Sequence, residues 1–182
     1  MAATPEEFYD MCTPVDPTQA IQFLQNIPLD ERHPFVSSRS FVGTNSLHAP
    51  ATAGHFQLVQ LLVASGADKN AANNNGATPF YIAAQNGNHQ VVEVLVAAGA
   101  DINAAAKNDR ATPIYFAAQN GHHQVVEMLP AAGAGINAAM NDGRTPILIA
   151  AYKGDHQVVE VLVAAGADKF LGPQYESRCQ MR

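Results

Sequence analysis

The sequence predicts an all-α repeat solenoid, and three observations carry that prediction. Residues 78–103 (TPFYIAAQNGNHQVVEVLVAAGADIN) return at 112–137 as TPIYFAAQNGHHQVVEMLPAAGAGIN, and again from 145 as TPILIAAYKGDHQVVEVLVAAGADK. Gly54, Gly87, Gly121 and Gly154 hold equivalent places 33 or 34 residues apart, and the single extra residue falls between Asn103 and Thr112, hence in a loop. A unit of that length cannot bury its apolar face alone, so copies must stack side by side around one continuous core.

Taken from the N-terminus, residues 1–40 read as a degenerate capping unit. Thr4-Pro5 repeats the start signal of the later copies, and Asp16-Pro17 reads as a cap followed by a first-position proline. QAIQFLQNIPLD from Gln19 aligns without a gap on QVVEVLVAAGAD from Gln90, while the segment 28–40 is longer than the corresponding loop elsewhere. Four units follow at about 41–72, 73–106, 107–140 and 141–170. In the first, Asn45-Ser46 stands in place of Thr-Pro, and Pro50 stands where the others have alanine. Proline removes a helical donor, so the first helix of this unit should start late or be distorted.

The second unit is the most regular. Thr78 can cap the first helix, Pro79 opens it without losing a needed donor, and Gly87 can end it in a left-handed conformation. At about 100° per residue Phe80, Ala83, Ala84 and Gly87 share one face, whose small side chains admit a close neighbour. The second helix, residues 89–98, turns Val91, Val92 and Leu95 inward and Gln90, Glu93 and Ala97 outward, and Gly99 stops it. In the third unit Pro130 replaces Val96 and Val163, and Gly135 replaces Asp101 and Asp168. An interior proline costs about 3 kcal/mol, less in a final turn, which predicts a weak joint there. Residues 171–182 contain no further Thr-Pro start, and Gly172-Pro173 reads as a stop. The last unit is then either capped by this tail or docks through its exposed end; a monomer is expected.

With Thr-Pro, an alanine pair, Gly, a valine pair and Gly-Ala-Asp at fixed offsets, the chain resembles the ankyrin repeat family over about 41–170. Leu47-His48 in the first unit keeps the family's Leu-His. The resemblance implies paired antiparallel helices with hairpin-like finger loops, and a non-catalytic adaptor, scaffold or inhibitor that binds another protein through its concave face. An ankyrin-type effector of an intracellular bacterium, acting on a host protein, is a variant of that reading. A small hydrolase-type enzyme is the competing class.

The candidate contact residues lie on the first helices and the finger tips. Ile82, Phe116 and Ile149 fall about 200° from Phe80 and its equivalents, away from the core and, by the resemblance, on the concave face. Tyr81, Tyr115 and Leu148 flank them, and Tyr152 extends the stripe at a site held by Gln85 and Gln119 in other copies. Exposed, such a surface supplies interface hot spots; the alternative is burial between neighbouring first helices. The tips add a polar rim: Asn74 and Asn75 in one, Lys107, Asp109 and Arg110 in the next, Met140, Asp142 and Arg144 in the last. Tips differ while frames repeat, as exchangeable contacts on a scaffold would.

Charge and composition narrow the partners. Residues 1–31 hold Glu6, Glu7, Asp10, Asp16, Asp30 and Glu31 and no Lys or Arg, so these first residues of the cap account for the whole net charge of −6. Without a basic stripe, nucleic acid and anionic membrane are not expected partners. No apolar run spans a bilayer and the N-terminus lacks a secretion signal, which suggests an intracellular, cytoplasmic chain. Cys12 and Cys179 lie near opposite ends of the array, too far apart to bridge. His89, His123 and His156 recur, with His122 and His55 beside them, but stacked units set equivalent atoms about 8–10 Å apart, too far to share one metal. Turn hydrogen bonding explains the row better, and no cofactor is implied. Leu95, Asp101, Ile102 and Asn103 resemble the ankyrin pattern accepted by asparaginyl hydroxylase, with Asn103 as the modification candidate; its ordinary role would be hydrogen bonding to the loop backbone. The mass of the native protein reports which.

Overall fold

The structure is a computed structural model and describes residues 4–12, 17–37 and 43–168. Among the described residues there are eleven α-helices and one 3₁₀ turn, and no strand. The cap comprises α1 (Pro5–Met11), α2 (Thr18–Asn26), a 3₁₀ turn (Leu29–Glu31) and α3 (His33–Val36). Four helix pairs follow: α4 (His48–Ala53) with α5 (Phe56–Ala64), α6 (Pro79–Asn86) with α7 (His89–Ala97), α8 (Pro113–Gln119) with α9 (His123–Ala131), and α10 (Pro146–Lys153) with α11 (His156–Ala164).

The pairs stack in register. First helices α4, α6, α8 and α10 pack side by side in one layer, and second helices α5, α7, α9 and α11 form the other, with α2 against α5. The core runs between the layers. Phe80, Ala83 and Ala84 of α6 are fully buried against Val91, Val92 and Leu95 of α7, as the helical spacing predicts. Each Val or Leu so placed contributes about 1.5–3 kcal/mol through removal of apolar surface from water.

Local chemistry sets the helix ends. The Thr78 hydroxyl accepts from Tyr81 N (3.2 Å), and Gly87 closes α6 at φ +73°. α7 ends one residue earlier than the periodicity suggests, with Ala98 as its C-cap. In α4 the expected disturbance is present: the helix has 6 residues against 8 in α6 and begins two places late. That late start puts Pro50 in the first turn, where a missing N–H has no intrahelical partner to lose. In place of a Thr-Pro cap, the His48 ring holds the turn: its Nδ1 lies 3.0 Å from Asn45 N and 2.7 Å from Asn45 Oδ1, and its Nε2 lies 3.2 Å from Ala77 O.

The cap departs from the sequence reading in two respects. Pro17 is the N-cap of α2 instead of its first helical residue, and Asp16 lies outside the described residues. The long segment after Pro28 is no extended finger up to Ser37: it winds into the 3₁₀ turn and α3. The reason is aromatic packing. Phe35 sets its ring against Phe8 (centroids 5.9 Å) and Phe23 (5.1 Å), closing a small core of the cap's own. Arg32 ties that core to the array, its Nη1 donating to Ser65 Oγ at the end of α5 (3.2 Å).

Candidate functional site

Two sets of hydrogen bonds hold the fingers at fixed height. Asn70, Asn103 and Asn137 each accept, through Oδ1, the backbone N–H of the next loop, from Asp101 (2.8 Å), Gly135 (2.9 Å) and Asp168 (3.0 Å). At the tips Lys107 N donates to Asn75 O (3.2 Å) and Asn141 N to Asp109 O (2.9 Å). Asn103 also donates from Nδ2 to Gly133 O (3.1 Å), so both ends of its amide address the following loop.

The extra residue of the third unit lies in its finger tip. Backbone closure runs from Asn73 N to Ala77 O and from Met140 N to Arg144 O, but from Ala106 N to Ala111 O, one residue wider. Each tip turns through a left-handed residue: Gly76 (φ +84°), Arg110 (φ +60°) and Gly143 (φ +84°). Arg110 is the exception, because a side chain there costs about 1–2 kcal/mol that glycine avoids. It is exposed, whereas the Arg144 guanidinium is held by Asp142 (2.6 Å) and Lys107 Nζ by Asn74 O (3.3 Å).

The apolar stripe is narrower than the sequence suggested. Tyr81, Tyr115 and Ile149 are only 5%, 1% and 3% exposed; Ile82, Phe116 and Leu148 are half-buried; Tyr152 is 85% exposed. Neighbouring first helices approach closely enough for side chains beside the core face to fill the seam between them. The Phe116 ring meets Tyr81 edge-on (5.4 Å) and Tyr115 (5.7 Å), so the aromatic cluster is a joint between α6 and α8 with one partly open edge. The expected exposure of Tyr81, Tyr115 and Ile149 is thereby corrected to burial.

What remains open is a groove of about 460 Å³ between the finger before α6 and the helix itself, lined by Thr52, Asn75, Tyr81, Ile82, Gln85 and Asn86 among others. Burial, and then the Asp109 carboxylate, push the Tyr81 phenol's pKa upward, so it stays protonated. Sequence reasoning missed Gln85 and Asn86, although both lie three or four residues beyond Ile82 and share its helical face.

His122 Nε2 donates to Gln85 O (3.0 Å), and Asn88 in the equivalent place reaches back to Ala51 O (2.7 Å), so these turn residues connect pairs. Among the described residues no group of three His, Cys, Asp or Glu side chains could hold a metal ion. Cys12 is buried, which pushes its thiol up to about 12, and Cys179 lies outside the described residues. Among the described residues no helix is long and apolar enough to cross a membrane.

A family model for ankyrin repeats, in three copies, matches residues 17–106 and 105–171. The chain belongs to the ankyrin repeat family. Ankyrin repeats are a general protein–protein interaction module, and the family is typically non-catalytic. This ankyrin-repeat chain is similar to "Ankyrin repeat and SOCS box protein 3" of Homo sapiens, 33% identical over 63 residues, which is 35% of this chain and 12% of that protein. The protein of the same name in Bos taurus is 33% identical over 55 residues, 30% of this chain and 10% of its own length. The chain thus spans about a tenth of the curated relatives it matches.

Proposed function

We propose that this ankyrin-repeat chain is a non-catalytic adaptor, scaffold or inhibitor that binds a protein partner through its concave face, the surface of the finger loops and first helices. The observation that carries the reading is Arg110. A cation kept at an exposed left-handed turn, where glycine serves the neighbouring fingers, is local strain of the kind retained where the side chain itself is used. The open groove lined by Ile82 and the exposed Tyr152 provide apolar contact. Asn74, Asn75, Lys107, Asp109, Met140, Asp142 and Arg144 form the polar rim.

The test is quantitative capture of partners from source lysate by immobilised protein. Arg110→Gly relieves the strain, so it should raise the unfolding midpoint by about 2–4 °C while lowering capture. Tyr152→Asp, at a site with little to unfold, should lower capture as well. If both bind as the parent does, while Glu93→Arg on the opposite face abolishes capture, the assignment to the finger face is wrong.

A further inference from the structure

The groove beside α6 and the finger tip next to it differ in charge, and the difference narrows the chemistry of what binds there. Two backbone bonds place the tip 107–110 at the groove. Arg110 N donates to the carbonyl of Ala106 (3.2 Å) and Lys107 N to that of Asn75 (3.2 Å), and both Ala106 and Asn75 line the groove. The tip carries two cations, Lys107 and Arg110, against one carboxylate, Asp109. Lys107 Nζ is held by Asn74 O (3.3 Å), and Asp109 Oδ1 accepts from Ala111 N (3.0 Å). The exposed Arg110 guanidinium makes no such bond among the described residues, so it is the open ionic group of the tip.

The groove lining itself carries no charge. Three of its side chains, Asn75, Gln85 and Asn86, are primary amides without a hydrogen-bond partner among the described residues. A primary amide both donates and accepts, which suits the alternating N–H and C=O groups of an extended peptide. We infer, resting on the finger face as the binding surface, that the groove takes an extended segment of the partner protein which seats an apolar side chain on Ile82 and presents an aspartate or glutamate to Arg110. A guanidinium forks onto a carboxylate through two parallel N–H donors, a pair shorter and stronger than a bond between neutral groups. Glycine at the turn could not make that contact, which accounts for a strained arginine there. A basic segment would instead bring like charge against Arg110, and no carboxylate in the lining compensates it.

The experiment presents the full chain to an array of short peptides in which one position at a time is fixed and the others are equimolar mixtures. Peptides fixed as Asp or Glu should retain about ten-fold more protein than those fixed as Asn or Gln, and high salt should remove the difference. Arg110→Glu keeps the backbone strain, so it should reverse the preference to Lys and Arg at an unchanged urea midpoint. An array that ranks acidic and amide peptides alike or retains none, or an Arg110→Glu chain that still prefers acids, overturns the acidic-peptide site. If lysate capture still falls in Arg110→Gly, the finger face remains the binding surface and the partner's chemistry alone is wrong. Capture that ignores Arg110→Gly but is abolished by Glu93→Arg removes the binding surface, and the peptide site with it.

Discussion

The pairs α6/α7 and α8/α9 share most of their residues and differ where local rules can be kept or broken. In the first, the Thr78 hydroxyl caps α6, Gly76 turns the finger, and Val96 leaves α7 uninterrupted. In the second, the Thr112 hydroxyl is buried without a hydrogen bond, Arg110 occupies the left-handed turn, and Pro130 stands inside α9. Yet α7 and α9 have 9 residues each and bury the same positions, Val91, Val92 and Leu95 in one and Val125, Val126 and Leu129 in the other. Neighbours on both sides, more than local propensity, decide whether a unit folds. Defects of about 1–3 kcal/mol are absorbed by the interfaces they share.

The largest test of that contrast is Pro130→Val. It restores a backbone donor in the last turn of α9 and should stabilise the chain by about 2 kcal/mol, read as a higher midpoint in urea. An unchanged or lower midpoint would mean that the proline is already accommodated and the two pairs are equally strong. Next comes a paired substitution at the caps. Thr78→Ala should cost about 1 kcal/mol by removing the bond to Tyr81 N, while Thr112→Ala should cost close to nothing, since it deletes a buried hydroxyl that has no partner. Equal losses would show that the two caps do not differ.

The smallest effect comes from the last finger, where the cation sits one place after the turn glycine. There Arg144 pairs with Asp142, and although burial acts in the opposite direction, hydrogen bonds from Arg144 hold the Asp142 carboxyl below its ordinary range. A depressed folded-state value stabilises above the unfolded value of about 4 and is lost as pH falls through the folded one. Asp142→Asn should therefore remove a small acid-sensitive part of the stability, about 0.5 kcal/mol or less for so exposed a pair, seen by comparing urea midpoints at neutral and acidic pH.

Repeat spacing made the array legible from sequence because each unit states its start, its stop and its buried face in the same residues. Thr78, Pro79 and Gly87 act as their chemistry dictates, and Pro50 delays α4 as its missing N–H requires. The cap was harder, since Phe8, Phe23 and Phe35 find one another across sequence distances that carry no period. The surface was read only in part. Helical angle alone puts Tyr81 and Tyr115 beside the core face, but whether they meet solvent depends on the neighbouring first helix. The sign of φ at Arg110 was accessible in principle, since glycine occupies that place in the fingers on either side.

The asparagine bonds at Asn70, Asn103 and Asn137 recur at one height, so tension applied along the stack would load them in series. Extension would then proceed as a run of discrete ruptures, each releasing about 100 Å of slack chain. The unit holding Pro130 would be the first to let go, which makes this small array a graded spring in addition to a surface.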